Sequence, residues 1–471
     1  MSITQIAFVG VGSILYRLVG KNWQREKIIF LLNIFILFLI QPGGSIRYLN
    51  FILPWIMIFI LMGSGFAVAK TDKKEIFLLC MLCLLGFLPF LFSEIIPALK
   101  SSFLDIHLNV QILLKLLGYG GILLGISYLL RSNKAFLPFV LVIVLLIFVF
   151  LKQPALTTLT SGVLRGMFQQ NTSLASALDI RWIGYSYITF RLIHVIREYQ
   201  KGRIRDISLI RFMNYCLFFP AVTAGPINRY DDFSKQIDNP ELSIQDGFLE
   251  GGKRLFMGLF KKFVIADSIA ILALNSTNAG QINQTGWMWV TLIFYSFQIY
   301  FDFSGYTDIA IGLGYFWGIK LPENFDKPYL KSNLTKFWDS WHITLSQWIR
   351  AYYFNPVNRS LRKTKIGRSP VSLLFFLQVT TMLLIGLWHG FTWTFAIWGL
   401  WHGIGLFVQN RWSTWLKKNN HEGKQSHFAR MFGTILSTLL TFTYVSLGWV
   451  WFLSPTVSQA VRIFQKLLGL G

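Results

Sequence analysis

Seven histidines are the side chains of this 471-residue chain best suited to moving a proton near neutral pH: His107, His194, His342, His389, His402, His421 and His427. An imidazole with an ordinary pKa near 6.5 can take a proton from a hydroxyl and hand it on within one reaction. Their surroundings separate them. His389 ends the apolar run 371–388 and is followed by Gly390. An ionisable group at membrane depth is costly and marks a functional site by default, and a glycine beside it would let a substrate approach the backbone. The bland alternative is a core histidine hydrogen-bonded between helices. His402, in Leu400-Trp401-His402-Gly403, has a similar local setting, and spacing alone does not choose between the two. His342 lies on a different element, among tryptophans. Two histidines meeting in one cavity can divide labour, one as general base and the other orienting the acceptor or stabilising developing charge.

The other candidates read as structural. His194, flanked by Arg191 and Arg197 near the end of an apolar stretch, reads as a headgroup-level residue. His107 reads as part of an aqueous turn, and His421 and His427 as solvated members of the polar loop 417–430. Neither His342 nor His389 has a Cys or His at i+3 or i+4, and there is no H-E-x-x-H, so no metal site is expected. Cys80-x-x-Cys83 matches a redox spacing but sits inside an apolar helix with no flanking strand, so it reads as a buried, inert pair, with Cys216 the third cysteine. Asp302 and Asp308 are intramembrane carboxylates. They can serve a transporter as coupling sites, or cross-link broken helices beside Gly305 with Ser304, Tyr306 and Thr307 as ready partners. The second reading is preferred.

The elements that must hold these groups are membrane helices. Hydrophobic residues make up 54% of the chain and charged residues 14%, too few charges to coat a soluble globule. Runs such as 29–40, 48–69, 76–92, 135–151, 371–388 and 432–453 approach the roughly 20 apolar residues that cross a bilayer. The fold class is therefore an all-α polytopic membrane protein. About 11–13 membrane-embedded helices are expected, some short, tilted or re-entrant, around a central polar funnel. Residues 1–471 form one membrane-embedded domain, and its N-terminus reads as a retained first helix. Residues 1–152 are N-terminal scaffold helices, residues 153–179 a more polar loop with a short helix, and residues 408–471 a C-terminal loop and helices. From 180 onward polar residues, glycines and prolines interrupt the apolar runs, which points to a cavity lined by irregular backbone. Segment 332–354, capped by Asn333 or Thr335, reads as an interfacial or partly re-entrant helix carrying Trp338, Trp341, His342, Leu345, Trp348 and Tyr352. The net charge of +23 sits in basic clusters between apolar runs, including 253–262, 359–368 and 411–418. That is the pattern of cytoplasmic loops facing anionic lipid and excludes nucleic acid as the natural partner.

Five ordered motifs then carry a resemblance. Phe218-Phe-Pro-Ala-Val-Thr-Ala-Gly-Pro-Ile-Asn-Arg-Tyr230, Tyr300-Phe-Asp-Phe-Ser-Gly-Tyr-Thr-Asp-Ile-Ala-Ile-Gly312, Pro322-Glu-Asn-Phe325 with Pro328-Tyr329, Phe337-Trp-Asp-Ser-Trp-His-Ile-Thr-Leu-Ser346 and Gly386-Leu-Trp-His-Gly390 resemble the blocks of membrane-bound O-acyltransferases. The resemblance places a catalytic core over 180–407. It is strongest to the bacterial envelope branch holding the alginate O-acetyltransferase membrane subunit and, more distantly, the teichoic-acid D-alanyl transferase. It implies His389 as the catalytic histidine and His342 in a supporting role, and gives His402 none. It further implies an acyl thioester co-substrate, from coenzyme A or an acyl carrier protein, with no permanently bound cofactor. The implied partners are membrane lipid, an extracytoplasmic acyltransferase and a glycan acceptor, and the implied location is the bacterial inner or plasma membrane, multi-pass. The chain departs from the pattern at Ala351-Tyr-Tyr-Phe-Asn-Pro356, where an acidic residue and a later glycine turn are usual. D-alanyl transfer to a teichoic-acid-like polymer is the nearest alternative. A secondary transporter working through Asp302 or Asp308 and a non-catalytic envelope scaffold are alternatives of other classes. The basic loop 359–368 reads as positive-inside topology, with docking of an acidic carrier as the sharper alternative.

Overall fold

The computed structural model describes residues 22–41, 44–95, 110–419 and 427–470. The expected first membrane helix, His107 and His421 lie outside them. The described residues are helical almost throughout, with a single two-stranded parallel pairing of β1 (Ala69–Lys70) and β2 (Ile207–Ser208). The chain divides into two compact units, residues 1–255 with 309–321, and residues 256–308 with 322–471.

In the first unit, α1 (Asn22–Leu39) packs on α3 (Lys73–Ile95), and α2 (Leu49–Val68) packs on α4 (Val110–Leu130) and α5 (Phe136–Lys152). α2 is apolar and buried around most of its circumference, the mark of a central helix. α4 is its opposite: Leu114, Tyr119, Ile122, Leu123 and Leu129 all face outward, a surface suited to lipid. α5 breaks at Gln153, where Pro154 cannot donate to the preceding turn, and α6 (Pro154–Met167) leaves at 90°. Segment 153–179 is thus more helical than its polar composition suggests. Arg165 of α6 and Asp179 form a buried ion pair at 2.9 Å, with Ser161 donating to the same carboxylate.

α7 (Tyr185–Gln200) and α8 (Leu209–Leu217) bring the Phe-Pro motif together. Ser208 caps α8 through Arg211 N–H. Its last carbonyls, which no helical N–H can reach, are met by the fully buried Arg191, whose Nη1 donates to Tyr215 O at 3.3 Å and Phe218 O at 3.2 Å. Asn33 of α1 accepts from Phe219 N–H at 3.0 Å. The broken backbone at 218–221 is therefore satisfied from inside the protein, as lipid would demand.

Among the described residues, four helices have the length and apolarity to cross a bilayer: Leu49–Val68, Gln111–Leu130, Pro370–His389 and Phe428–Leu453; the bent α5–α6 pair makes a fifth if counted as one span. Several of the remaining helices are short or polar. α9 (Tyr230–Asp238) and α10 (Ile244–Leu259) carry acidic and basic residues along their length.

Candidate active site

The second unit holds both histidines singled out above. To reach them the chain runs through α11 (Thr285–Phe316), α12 (Leu334–Trp338), α13 (Ile343–Ile349) and α14 (Asn355–Leu361), then α15 (Pro370–His389), α16 (Trp393–Asn419), α17 (His427–Leu453) and α18 (Val457–Leu467). α15 and α16 form a tight antiparallel hairpin through glycines. A Cβ on Gly386 would fall 2.3 Å from Phe395 O, and one on Gly399 would fall 2.5 Å from Met382 O. Such contact between backbones is how helices associate where no hydrophobic effect drives them. It fixes the last turn of α15, where His389 sits.

His389 is surrounded by rings: Trp388 at 4.5 Å between centroids, Phe452 at 4.8 Å, Trp398 at 5.4 Å and Phe395 at 5.8 Å. The space that Gly390 leaves open is filled by the Phe395 ring, which a Cβ at 390 would meet at 2.8 Å, so that glycine serves packing rather than substrate approach.

His342 is positioned differently. The expected single helix over 332–354 is broken. Asn333 does cap its start, accepting from Lys336 N–H at 2.9 Å, but α12 ends at Trp338 and α13 begins only at Ile343. Between them His342 adopts a left-handed backbone, φ 46° and ψ 54°. That conformation costs an L-residue roughly 1–2 kcal/mol and persists only where surrounding contacts impose it. The His342 ring is buried, 4.8 Å from Phe303 and 6.2 Å from Trp388, and neither ring nitrogen has a hydrogen-bond partner.

The two imidazoles line one cavity of about 50 Å³, with Phe303, Trp338, Trp341 and Trp449 among its walls. Trp388 touches both rings. The walls around the pair are aromatic and aliphatic; the polar side chains belong to a neighbouring cavity of about 180 Å³ that shares Trp338 and Ile385 with the first. There Ser346, Arg350, Gln378 and Thr381 contribute, and Gln378 Oε1 and Thr381 Oγ1 are buried without partners. The two imidazoles thus share one largely apolar space, with polar groups in the compartment beside it.

His402 is not part of this cavity. It is fully buried between Trp338 at 5.2 Å and Trp398 at 5.0 Å, and Gly448 leaves room for its Nε2, which a Cβ there would meet at 2.7 Å. His194 is not at a headgroup surface either. It is 3% exposed and its Nε2 accepts from Tyr230 N–H at 3.0 Å.

Asp302 and Asp308 do cross-link helices, but through lysines rather than the Ser304 and Thr307 hydroxyls. Lys261 meets Asp308 at 2.7 Å and Lys262 pairs with Asp302. Ser304 and Thr307 hydroxyls have no partner. The basic cluster 253–262 is thus helical, running through α10 into a π-helical segment, Phe260–Ala266, that presents both lysines. Gly305 permits the approach, since a Cβ there would lie 2.8 Å from Lys262 N. Lys261→Met should therefore lower the free energy of unfolding in detergent by about 2 kcal/mol, given the partial exposure of the lysine, with a lower unfolding midpoint as the readout, and Lys261→Met with Asp308→Leu should recover most of it. An unchanged midpoint in the single variant would refute the cross-link.

Residues that sequence reasoning passed over include Phe303, Trp398, Trp449 and Phe452, which line the cavity. The excess of aromatics was visible, but their spacing does not show which of them face a histidine.

Residues 134–447, two thirds of the chain, match the sequence profile of the membrane-bound O-acyltransferase family. The chain is similar to the peptidoglycan O-acetyltransferase of Helicobacter pylori, 38% identical over 63% of this chain and 56% of that protein. It is also similar to the probable alginate O-acetylase AlgI of Pseudomonas aeruginosa, 34% identical over 61% of this chain and 52% of that one. The teichoic acid D-alanyltransferase of Bacillus subtilis is 32% identical over 57% of this chain and 68% of its own length. The chain spans about half the length of the first two of these relatives. The motif blocks around both histidines fall inside the matched region, and the chain belongs to the membrane-bound O-acyltransferase family.

Proposed function

We propose that the protein is a multi-pass enzyme of a bacterial plasma membrane that moves an acyl group, acetyl by preference, from a cytoplasmic thioester to a hydroxyl of an envelope or extracellular polysaccharide. The observation that carries this reading is the cavity lined by both His342 and His389. In the reaction the acceptor oxygen attacks the thioester carbonyl and His389 takes its proton. The tetrahedral intermediate expels the thiolate, which recovers that proton from the imidazolium, giving ester and free thiol. The thioester is already activated, so the chain's task is to position and deprotonate the acceptor. His342 orients the acceptor or stabilises the oxyanion.

The neighbouring cavity suits the amide-bearing arm of coenzyme A or an acyl carrier protein, because Gln378 and Thr381 offer unpartnered polar atoms there. The acceptor hydroxyl belongs to a glycan directly or to an extracytoplasmic partner acyltransferase that passes the group on. The relatives named above are described as acting on peptidoglycan, alginate and teichoic acid, all polymers of the envelope or outside it. D-alanyl transfer remains the second reading on the strength of the last of these. A transporter coupled through Asp302 or Asp308 is disfavoured, because both carboxylates face lysines.

Mass spectrometry of envelope glycans from cells with and without the chain tests the proposal. An alkali-labile mass increment present only with the chain is expected, and its size names the acyl group. Identical spectra would refute the acyl-transfer reading.

A further inference from the structure

We propose that Asn324 is a positioning residue for His342, capping from outside the helix that the histidine begins. The inference rests on the reading of His342 as part of the reaction site. His342 occupies the N-cap position of α13, where Ser, Thr, Asp or Asn ordinarily accepts a hydrogen bond from the first turn. Its side chain makes no such bond. The free N–H groups of that turn are met instead by Asn324, a residue with no exposed surface. Ile343 N–H donates to the Asn324 carbonyl at 3.0 Å. Thr344 donates to Asn324 Oδ1 twice, from N–H at 3.1 Å and from Oγ1 at 2.7 Å.

The other side of His342 is held by the same short segment. Phe325 and Trp341 form an antiparallel bridge, and Asp326 N–H donates to Ser340 O at 3.0 Å. The left-handed backbone at 342 is thus gripped before and after by residues 324–326. Because neither ring nitrogen is hydrogen-bonded, the imidazole is oriented only by this grip and by packing against Phe303 and Trp388. An external cap leaves the ring free to face the cavity, which a self-capping residue at 342 would not allow.

The test uses the full-length protein in detergent or liposomes, with acetyl-coenzyme A as donor, cell-envelope polysaccharide as acceptor and thiol release as readout. Asn324→Leu keeps the heavy-atom count and branching of the side chain and removes the acceptor. It should lower kcat by roughly 10- to 100-fold with KM changed by no more than about twofold, the signature of misalignment rather than lost binding. Thr344→Val should lower kcat in the same direction, and Thr344→Ser, which keeps the hydroxyl, should restore it. The Asn324→Leu, Thr344→Val pair should be no worse than Asn324→Leu alone, since both act through one contact. Spectra of nitrogen-labelled histidine supply a readout independent of turnover: the His342 ring signal should move in Asn324→Leu while those of His194 and His402 stay in place. Wild-type kcat in Asn324→Leu, additive losses in the double variant, or an unmoved His342 signal would each overturn the proposal. A silent wild type with a shifted His342 signal would instead sink the acyl-transfer reading and leave the positioning role standing.

Discussion

His389→Ala is expected to cut acyl transfer by about 10²- to 10⁴-fold, the range that a general base supplies, while expression and detergent stability persist. The separation of activity from stability follows from where the ring lies. His389 is partly exposed to a cavity at the end of α15, and the hairpin that holds this turn is built from glycine contacts further up the helix. His402→Phe is the informative control. That histidine has the same sequence surroundings, yet it sits among rings with no hydrogen-bond partner, so an aromatic replacement should leave most of the transfer intact. Thiol release by purified variants, read beside their unfolding midpoints, checks both. Wild-type transfer by His389→Ala, or loss confined to His402→Phe, would reverse the assignment.

Gly399→Val should be strongly damaging although it replaces neither histidine. Its Cβ would fall 2.5 Å from Met382 O and 2.8 Å from Leu383 Cα, and these are backbone atoms that cannot rotate aside. Overpacking of a tight core typically costs about 1–3 kcal/mol, and a clash with main chain belongs at the upper end. Because α15 must shift to relieve it, His389 shifts too, and transfer should fall even in the fraction that folds. Gly125→Val on α4 provides the contrast, since nothing lies within 4 Å of a Cβ there. Size-exclusion profiles and unfolding midpoints distinguish the two. Equal behaviour of both variants would mean that the hairpin is not glycine-packed.

The membrane class is legible in the sequence because apolar runs are local, and His389 stands out as a candidate because an ionisable residue ends one of them. Convergence of His342 and His389 is not local. It depends on how α15 returns past α13, and neither residue carries a signal of the other. The preference for His389 over His402 likewise comes from motif order and not from spacing, because the feature that separates them, lining the cavity or lying fully buried outside it, is a matter of helix rotation. The lysine partners of Asp302 and Asp308 are hidden in the sequence for a related reason. Nearby hydroxyls looked sufficient, whereas a π-helical turn beginning at Phe260 rotates two lysines toward them from a cluster that composition assigns to a loop. The break at His342 was also hidden, since nothing in Ser340-Trp341-His342-Ile343 resembles a helix stop.

The left-handed geometry at position 342 bears on how substitutions there should be interpreted. Alanine removes the imidazole and at the same time prefers a different main-chain basin, so an alanine scan confounds chemistry with refolding of the loop. Asparagine tolerates that basin better than most residues and glycine adopts it freely. A graded series of Asn, Gly and Ala at 342 therefore separates what the ring contributes from what the bend contributes. Among homologous chains lacking a histidine here, small or amide side chains are the replacements that the main chain would accept.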